Sequence, residues 1–161
     1  MRVLTHHRHA VNRGSATLGG LTMVNTAYSF LFAFPVAVVS LVVRWHKKLT
    51  LNQRALCVTC LVVWTLVDVL RLHLGYSGNR KQYVPSLIGF FVMTLLPQLP
   101  LAIAYNLAWP HLSSLDYATS TVMIMLLVAE IVFSLRVIVR LIRNNRIDYY
   151  VYGPYHVRDL Y

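Results

Sequence analysis

The sequence predicts an all-α integral membrane protein, a four-helix transmembrane bundle with both termini cytosolic. Three observations carry that expectation. Of 161 residues, 57% are apolar and 12% charged, and the mean hydropathy is +0.56, values foreign to water-soluble domains. The charged residues cluster, leaving charge-free runs at 14–43, 82–115 and 117–129, longer than a globular core element needs. Fifteen Lys and Arg against five Asp and Glu give a net charge of +10. Those basic residues flank the apolar runs, where anionic headgroups hold them, so the partner they imply is the bilayer and not nucleic acid. The same composition excludes disorder, collagen and a disulfide scaffold.

Residues 1–20 read as a basic cytosolic tail carrying Arg2, Arg8 and Arg13 with His6, His7 and His9. The histidines lack fixed geometry, so a surface-binding tail is expected and no metal. The apolar run that follows is too long for a signal-peptide core and has no small-residue cleavage site, so it is expected to remain. The four-span domain covers 21–135. Span one, 21–43, holds 23 uncharged residues, about 34 Å of helix at about 1.5 Å each, against a hydrocarbon layer of about 30 Å. Its Leu, Ile, Val and Phe residues favour insertion by about 4–7 kcal/mol, and Pro35 is expected to kink it. It ends at Arg44, Trp45, His46, Lys47 and Lys48, a headgroup-level anchor.

Span two, 52–74, is apolar until Asp68 and Arg71. Gly75, Tyr76, Gly78 and Asn79 predict a tight turn there, because glycine tolerates the positive φ of a helix end. Pro85 suits the first turn of span three, 87–109. Pro97 and Pro100 predict a bent or broken helix, whose freed carbonyls must be satisfied by neighbours. Span four, 117–135, is the weakest: its apolar residues give about 3–5 kcal/mol, and an intramembrane acid, Glu130, offsets about 2.5–3.5 kcal/mol of that. Residues 136–161 form a basic helix exit and a Tyr-rich cytosolic tail. Arg136, Arg140, Arg143 and Arg146 recur every three or four residues, a headgroup-binding side.

Orientation follows from the basic residues. The termini and the second loop carry ten, namely Arg2, Arg8, Arg13, Arg80, Lys81, Arg136, Arg140, Arg143, Arg146 and Arg158; the other side carries Arg44, Lys47, Lys48 and Arg54. The positive-inside rule therefore puts both ends in the cytosol.

Asp68 and Arg71 are three residues apart, on one helical face, and Glu130 reaches the same depth in span four, so the three form a candidate intramembrane charge cluster. Two readings stand side by side: a buried staple joining the helices, or a proton or ion path. Gln98, Tyr105 and Asn106 are candidates for interhelical hydrogen bonds, and the Ala33–Ala37 and Ala104–Ala108 spacings for close helix approach. Cys57 and Cys60 have no second pair to complete a zinc site and read as small buried residues. No hydrolase, metalloprotease or phosphate-loop motif is present, so no catalytic residue, metal or cofactor is expected and the chain reads as a non-enzyme.

The stretch Arg71-Leu72-His73-Leu74-Gly75-Tyr76-Ser77-Gly78-Asn79, then Val84-Pro85-Ser86-Leu87-Ile88-Gly89-Phe90, then Gln98-Leu99-Pro100-Leu101, resembles the transmembrane protein 17 family. Asp68, three before the arginine, also matches. Pro97 and the tyrosine-rich tail depart from the family pattern. The resemblance implies a multi-pass membrane protein of the ciliary transition zone, a component similar to those of the tectonic-like or Meckel syndrome complex. Such a component supports cilium assembly and gates entry of membrane proteins into that cell projection, with other transition-zone membrane and cytosolic proteins as partners. The residues themselves leave open a small four-span channel or transporter built on the charge cluster.

Overall fold

The computed structural model describes residues 15–45, 50–108 and 112–152. The N-terminal tail with its arginines and histidines, the Lys47 and Lys48 pair, residues 109–111 and the tail beyond residue 152 lie outside the described residues. Among those described there is helix and no strand. Four helices are long and apolar enough to cross a membrane, and we name them α1 to α4.

Helix α1 runs Ala16–Arg44. It begins earlier than the hydropathy suggests because Ser15 caps it, its Oγ accepting from the Leu18 N–H at 3.4 Å. A π-helical turn, Ser29–Ala33, separates the α-helical stretches Ala16–Tyr28 and Phe34–Arg44. It precedes Pro35. Proline brings no N–H to the ladder, and the wider turn closes instead with the Phe34 N–H donating to Ser29 O.

Helix α2, Leu51–Lys81, opens on a reciprocal cap in which Thr50 and Gln53 bond each other's backbone. It does not stop at Gly75. The helix continues through Gly75, Tyr76, Gly78 and Asn79, and the chain reverses at Gln82, whose φ of 52° is left-handed. The N–H groups of Gln82 and Tyr83 both return to Gly78 O, closing the helix end. Helix α3 follows after this two-residue turn, with Pro85 in its first turn.

The glycines of the predicted turn have a different task. Gly75 and Gly78 are buried against α3. A Cβ on Gly75 would stand 2.7 Å from the Phe90 ring, and one on Gly78 would stand 3.0 Å from the Leu87 backbone nitrogen. Absence of a side chain, not a positive φ, is what these positions require. Tyr76, in contrast, is exposed, and Asn79 is buried.

Helix α3 comprises Val84–Met93, a π-helical turn Thr94–Gln98, and Leu99–Ala108. Of the bent or broken helix expected at Pro97 and Pro100, the broken form does not occur; the α-helical ladder is interrupted by the π turn alone. Pro97 sits inside the π turn, which closes with the Leu99 N–H on Thr94 O, while the Thr94 hydroxyl donates to Phe90 O at 2.7 Å. Pro100 follows as the second residue of the resumed α-helix, with its ring exposed. The chain stays helical throughout, as it must where lipid offers no donors.

Helix α4, Ser114–Tyr152, has 39 residues, about 58 Å at about 1.5 Å each. It is one rod, so the basic segment from Arg136 continues the span without interruption.

The four helices pack as neighbours in the cyclic order α1, α2, α3, α4. Near the α2–α3 turn, Leu18, Leu87, Phe90 and Ile138 form an apolar cluster. At the opposite end Leu41 and Cys57 pack with Trp45 and Tyr105, and between them lie Ala102, Met123 and Leu127 with Tyr28 and Trp64. The outer faces carry Phe30, Leu31, Phe32, Leu66, Leu96 and Met125, all exposed. Polar side chains outnumber apolar ones among the fully covered residues, the distribution expected where the solvent is hydrocarbon.

Close packing at Gly75 is testable. Gly75→Ala should displace Phe90 and lower thermal stability in detergent by about 1–3 kcal/mol, the scale of overpacking. Gly20→Ala, whose Cβ would meet nothing within 4 Å, should be neutral or slightly stabilising. Equal effects from the two would refute the close-approach role.

Candidate functional site

The interior polar groups fall into three tiers along the bundle. The central tier starts from Asp68 and Arg71, one turn apart on α2. Arg71 Nε donates to Asp68 Oδ1 at 2.9 Å, and Nη2 lies 2.7 Å from the same oxygen. Gln98, in the π turn of α3, donates from Nε2 to Asp68 Oδ1 at 3.0 Å. On the far side, Arg71 Nη1 donates to Glu130 Oε2 of α4. Arg71 and Glu130 are both 0% exposed. One guanidinium therefore ties α2 to α4, and one carboxylate ties α2 to α3.

The tier is not fully satisfied. Two carboxylates face one guanidinium, and Glu130 Oε1, Gln98 Oε1 and both amide atoms of Asn25 on α1 have no hydrogen-bond partner of standard geometry among the described residues. Asn25 lies close enough to Glu130 to interact electrostatically without closing such a bond. Glu130 sits where helices α1, α2 and α4 meet. Removing the guanidinium would leave two desolvated charges in place, which is why a buried ion cluster resists single substitutions poorly even when its net contribution is small.

A second tier closes the other end. Asp116 accepts from the Ser40 hydroxyl and the Arg44 guanidinium of α1 and from the Ser113 N–H and hydroxyl at 2.8 Å each. The Asp116 N–H in turn reaches Ser113 Oγ, a reciprocal cap on α4. Arg44 was expected among the headgroups; it is instead buried, because Asp116 draws it inward. Trp45 remains half-buried at this edge, with the Arg54 guanidinium 5.5 Å from its ring.

A third tier sits beside the α2–α3 turn. Asn79 spans both backbone groups of Ser15, Oδ1 accepting at 2.9 Å and Nδ2 donating at 3.0 Å. It fixes the start of α1 to the end of α2.

The remaining predicted residues stay apart from these tiers. Arg136, Arg140, Arg143 and Arg146 are all exposed on one side of the α4 extension, and Arg136 rests over the Phe133 ring at 5.7 Å. Tyr76 and Pro85 are exposed near the turn. Cys57 and Cys60 are free, and among the described residues no three His, Cys, Asp or Glu side chains converge on a point. The sequence reading missed the Arg44–Asp116 pair and the Asn79–Ser15 clamp. The Ser113-x-x-Asp116 spacing marks the cap on α4, but nothing local marked either long-range contact.

A cavity opens in the half of the bundle nearer Asp116, and neither Arg71 nor Glu130 lines it. The central tier is thus enclosed, and its geometry is that of a fastening.

The tier's energetics can be measured. Arg71→Gln should lower stability in lipid nanodiscs by about 3–5 kcal/mol, since two buried carboxylates lose their counter-charge. Glu130→Gln, which keeps an acceptor for Arg71 and balances the charge, should lose about 1 kcal/mol or less. A reversed order in thermal unfolding would refute the fastening role.

A family model described as "Predicted membrane protein" (Transmemb_17) matches residues 20–127. Among curated proteins, the chain is 36% identical to "Transmembrane protein 17B" of Xenopus tropicalis, over 89% of this chain and 68% of that protein. It is 24% identical to "Transmembrane protein 17B" of Danio rerio, over 96% of this chain and 83% of that one. Against "Transmembrane protein 17" of Homo sapiens the identity is 33%, over 52% of this chain and 44% of the human protein. No solved structure matches significantly.

Proposed function

Because the chain belongs to the transmembrane protein 17 family, we propose that this multi-pass membrane protein is a non-enzymatic component of the ciliary transition zone. In this reading it sits in the ciliary membrane within a tectonic-like assembly, supports cilium assembly and helps gate membrane-protein entry. Membership of the family is the observation that carries the proposal. The fold is compatible with it: an enclosed bundle, fastened internally at three levels, is a rigid part and not a moving one.

Its partners are proposed to be other transition-zone proteins and anionic lipid. The arginine stripe on α4 supports the second, since exposed guanidinium groups along one side of an emerging helix attract headgroups by about 1 kcal/mol each near the surface. The excess of basic residues on the side of the α2–α3 turn supports a cytosolic position for both termini. The channel alternative draws no support from the geometry, because Glu130 is enclosed and the cavity bypasses it.

An endogenously tagged chain should concentrate at the ciliary base, and its loss should reduce ciliated-cell number or the ciliary content of membrane receptors. Uniform plasma-membrane staining with unaltered cilia would overturn the reading. Replacing Arg136, Arg140, Arg143 and Arg146 together by Gln should weaken that enrichment while leaving membrane insertion intact.

A further inference from the structure

The cavity beside Asp116 touches the second tier through that residue alone and is separate from the central one. Its volume is about 120 Å³, and it exists because small residues stand where large ones would close it: Ala33 and Ala37 on α1, Ala102 and Ala104 on α3. Ala33, Ala37 and Ala104 belong to the spacings expected to draw helices together. They leave a hollow instead, floored by Cys60 and Trp64 of α2.

The hollow communicates with the outer surface. Helices α2 and α3 pack closely from their turn up to the π turn, whereas the backbones of α2 and the Leu99–Ala108 stretch stand further apart and meet through side chains such as Cys57 and Tyr105. Leu56 and Ala104, both on the cavity wall, are exposed and flank that divergence. Both lie within helices long and apolar enough to cross a membrane, about one turn inside the end marked by Asn52, Gln53 and Arg54, so the mouth opens toward the edge of the hydrocarbon layer.

Water is a poor occupant. Three polar side chains of the wall are already engaged, Asp116 by Ser40, Arg44 and Ser113, the Ser120 hydroxyl by Ala102 O, and Tyr105 by contacts of its own. That leaves the Thr119 hydroxyl and the Trp64 indole as the other polar side-chain groups in a lining that is otherwise apolar. A buried water needs two to four polar partners, and an apolar hollow of about 150 Å³ stays dry yet accepts a small hydrocarbon. An empty void forfeits dispersion contacts along its lining. At this depth the available filler is an aliphatic chain, and a slot open on one flank suits a linear chain lying partly in and partly out.

We propose that this cavity is a lateral binding slot for one acyl chain of a bilayer lipid, entering between α2 and α3 in the leaflet on the Asp116 side. The inference concerns the membrane-embedded chain and is independent of any ciliary role.

The full chain, reconstituted in nanodiscs containing a phosphatidylcholine with a diazirine near the end of one acyl chain, would be irradiated and its adducts mapped by peptide. Peptides containing Cys60, Trp64 and Tyr105 should carry several-fold more adduct than the outward-facing segment containing Phe30 and Leu31. Ala37→Phe, which fills the hollow, should bring the two to parity while labelling of the outer segment stays constant. Ala104→Phe at the exposed mouth should do the same, and serves where the interior change impairs folding. Equal labelling of both regions in the native chain, or excess labelling unaffected by both substitutions, would overturn the proposal. So would preferential capture of a photoactivatable sterol over the acyl probe in the same peptides.

Discussion

Hydrocarbon supplies no hydrogen-bond partners, so every polar group carried into it must be met from within the protein. Arg71 is the residue on which that constraint bears hardest. It is wholly enclosed, and its contacts reach Asp68 on its own helix and Glu130 on α4. Through Asp68 the connection extends to Gln98 on α3. A hydrophobic effect cannot drive helix association among lipid tails, so these directed contacts, with the clamps at either end, specify which helices adjoin and at what height.

Small residues and π turns then set how closely the rods lie. Gly75 and Gly78 allow the α3 side chains Phe90 and Leu87 to rest on the α2 backbone. The π turn at Thr94–Gln98 serves two ends at once: it absorbs the donor missing at Pro97, and it holds Gln98 where its amide meets Asp68. The turn before Pro35 likewise spans Ser29 and Ala33, both buried. Irregular backbone in this protein is therefore concentrated where prolines interrupt the ladder, and in α3 it coincides with the polar centre.

Four spans are readable in the sequence because hydropathy reports the surrounding medium. Helix limits are not, for the same reason: residues 75–81 and 136–152 leave the apolar zone while their backbone stays helical. The three-residue spacing makes the Asp68–Arg71 contact legible on one helix, and an acid at matching depth makes Glu130 a candidate. Gly75 and Gly78 mislead, since glycine serves both reversal and close approach and only the neighbouring helix decides. Arg44 misleads differently. It sits at a membrane edge where a cation reads as a headgroup contact, and its partner Asp116 lies 72 positions away. Gln82 adopting a left-handed conformation carries no local signature, because the turn is imposed by the helices it joins.

The separation of Arg71 from Glu130 by 59 positions bears on biogenesis. Ribosomal synthesis delivers the cation first, within a helix long and apolar enough to cross a membrane. When the acid-bearing final helix leaves the translocation channel, its counterpart is already stationed at the required depth. Helix α4 is the most apolar of the four over its best stretch, so the carboxylate it carries, not a shortage of apolar residues, is what the waiting guanidinium answers. A rearranged gene that translated α4 ahead of α2 would present the insertion machinery with an uncompensated carboxylate.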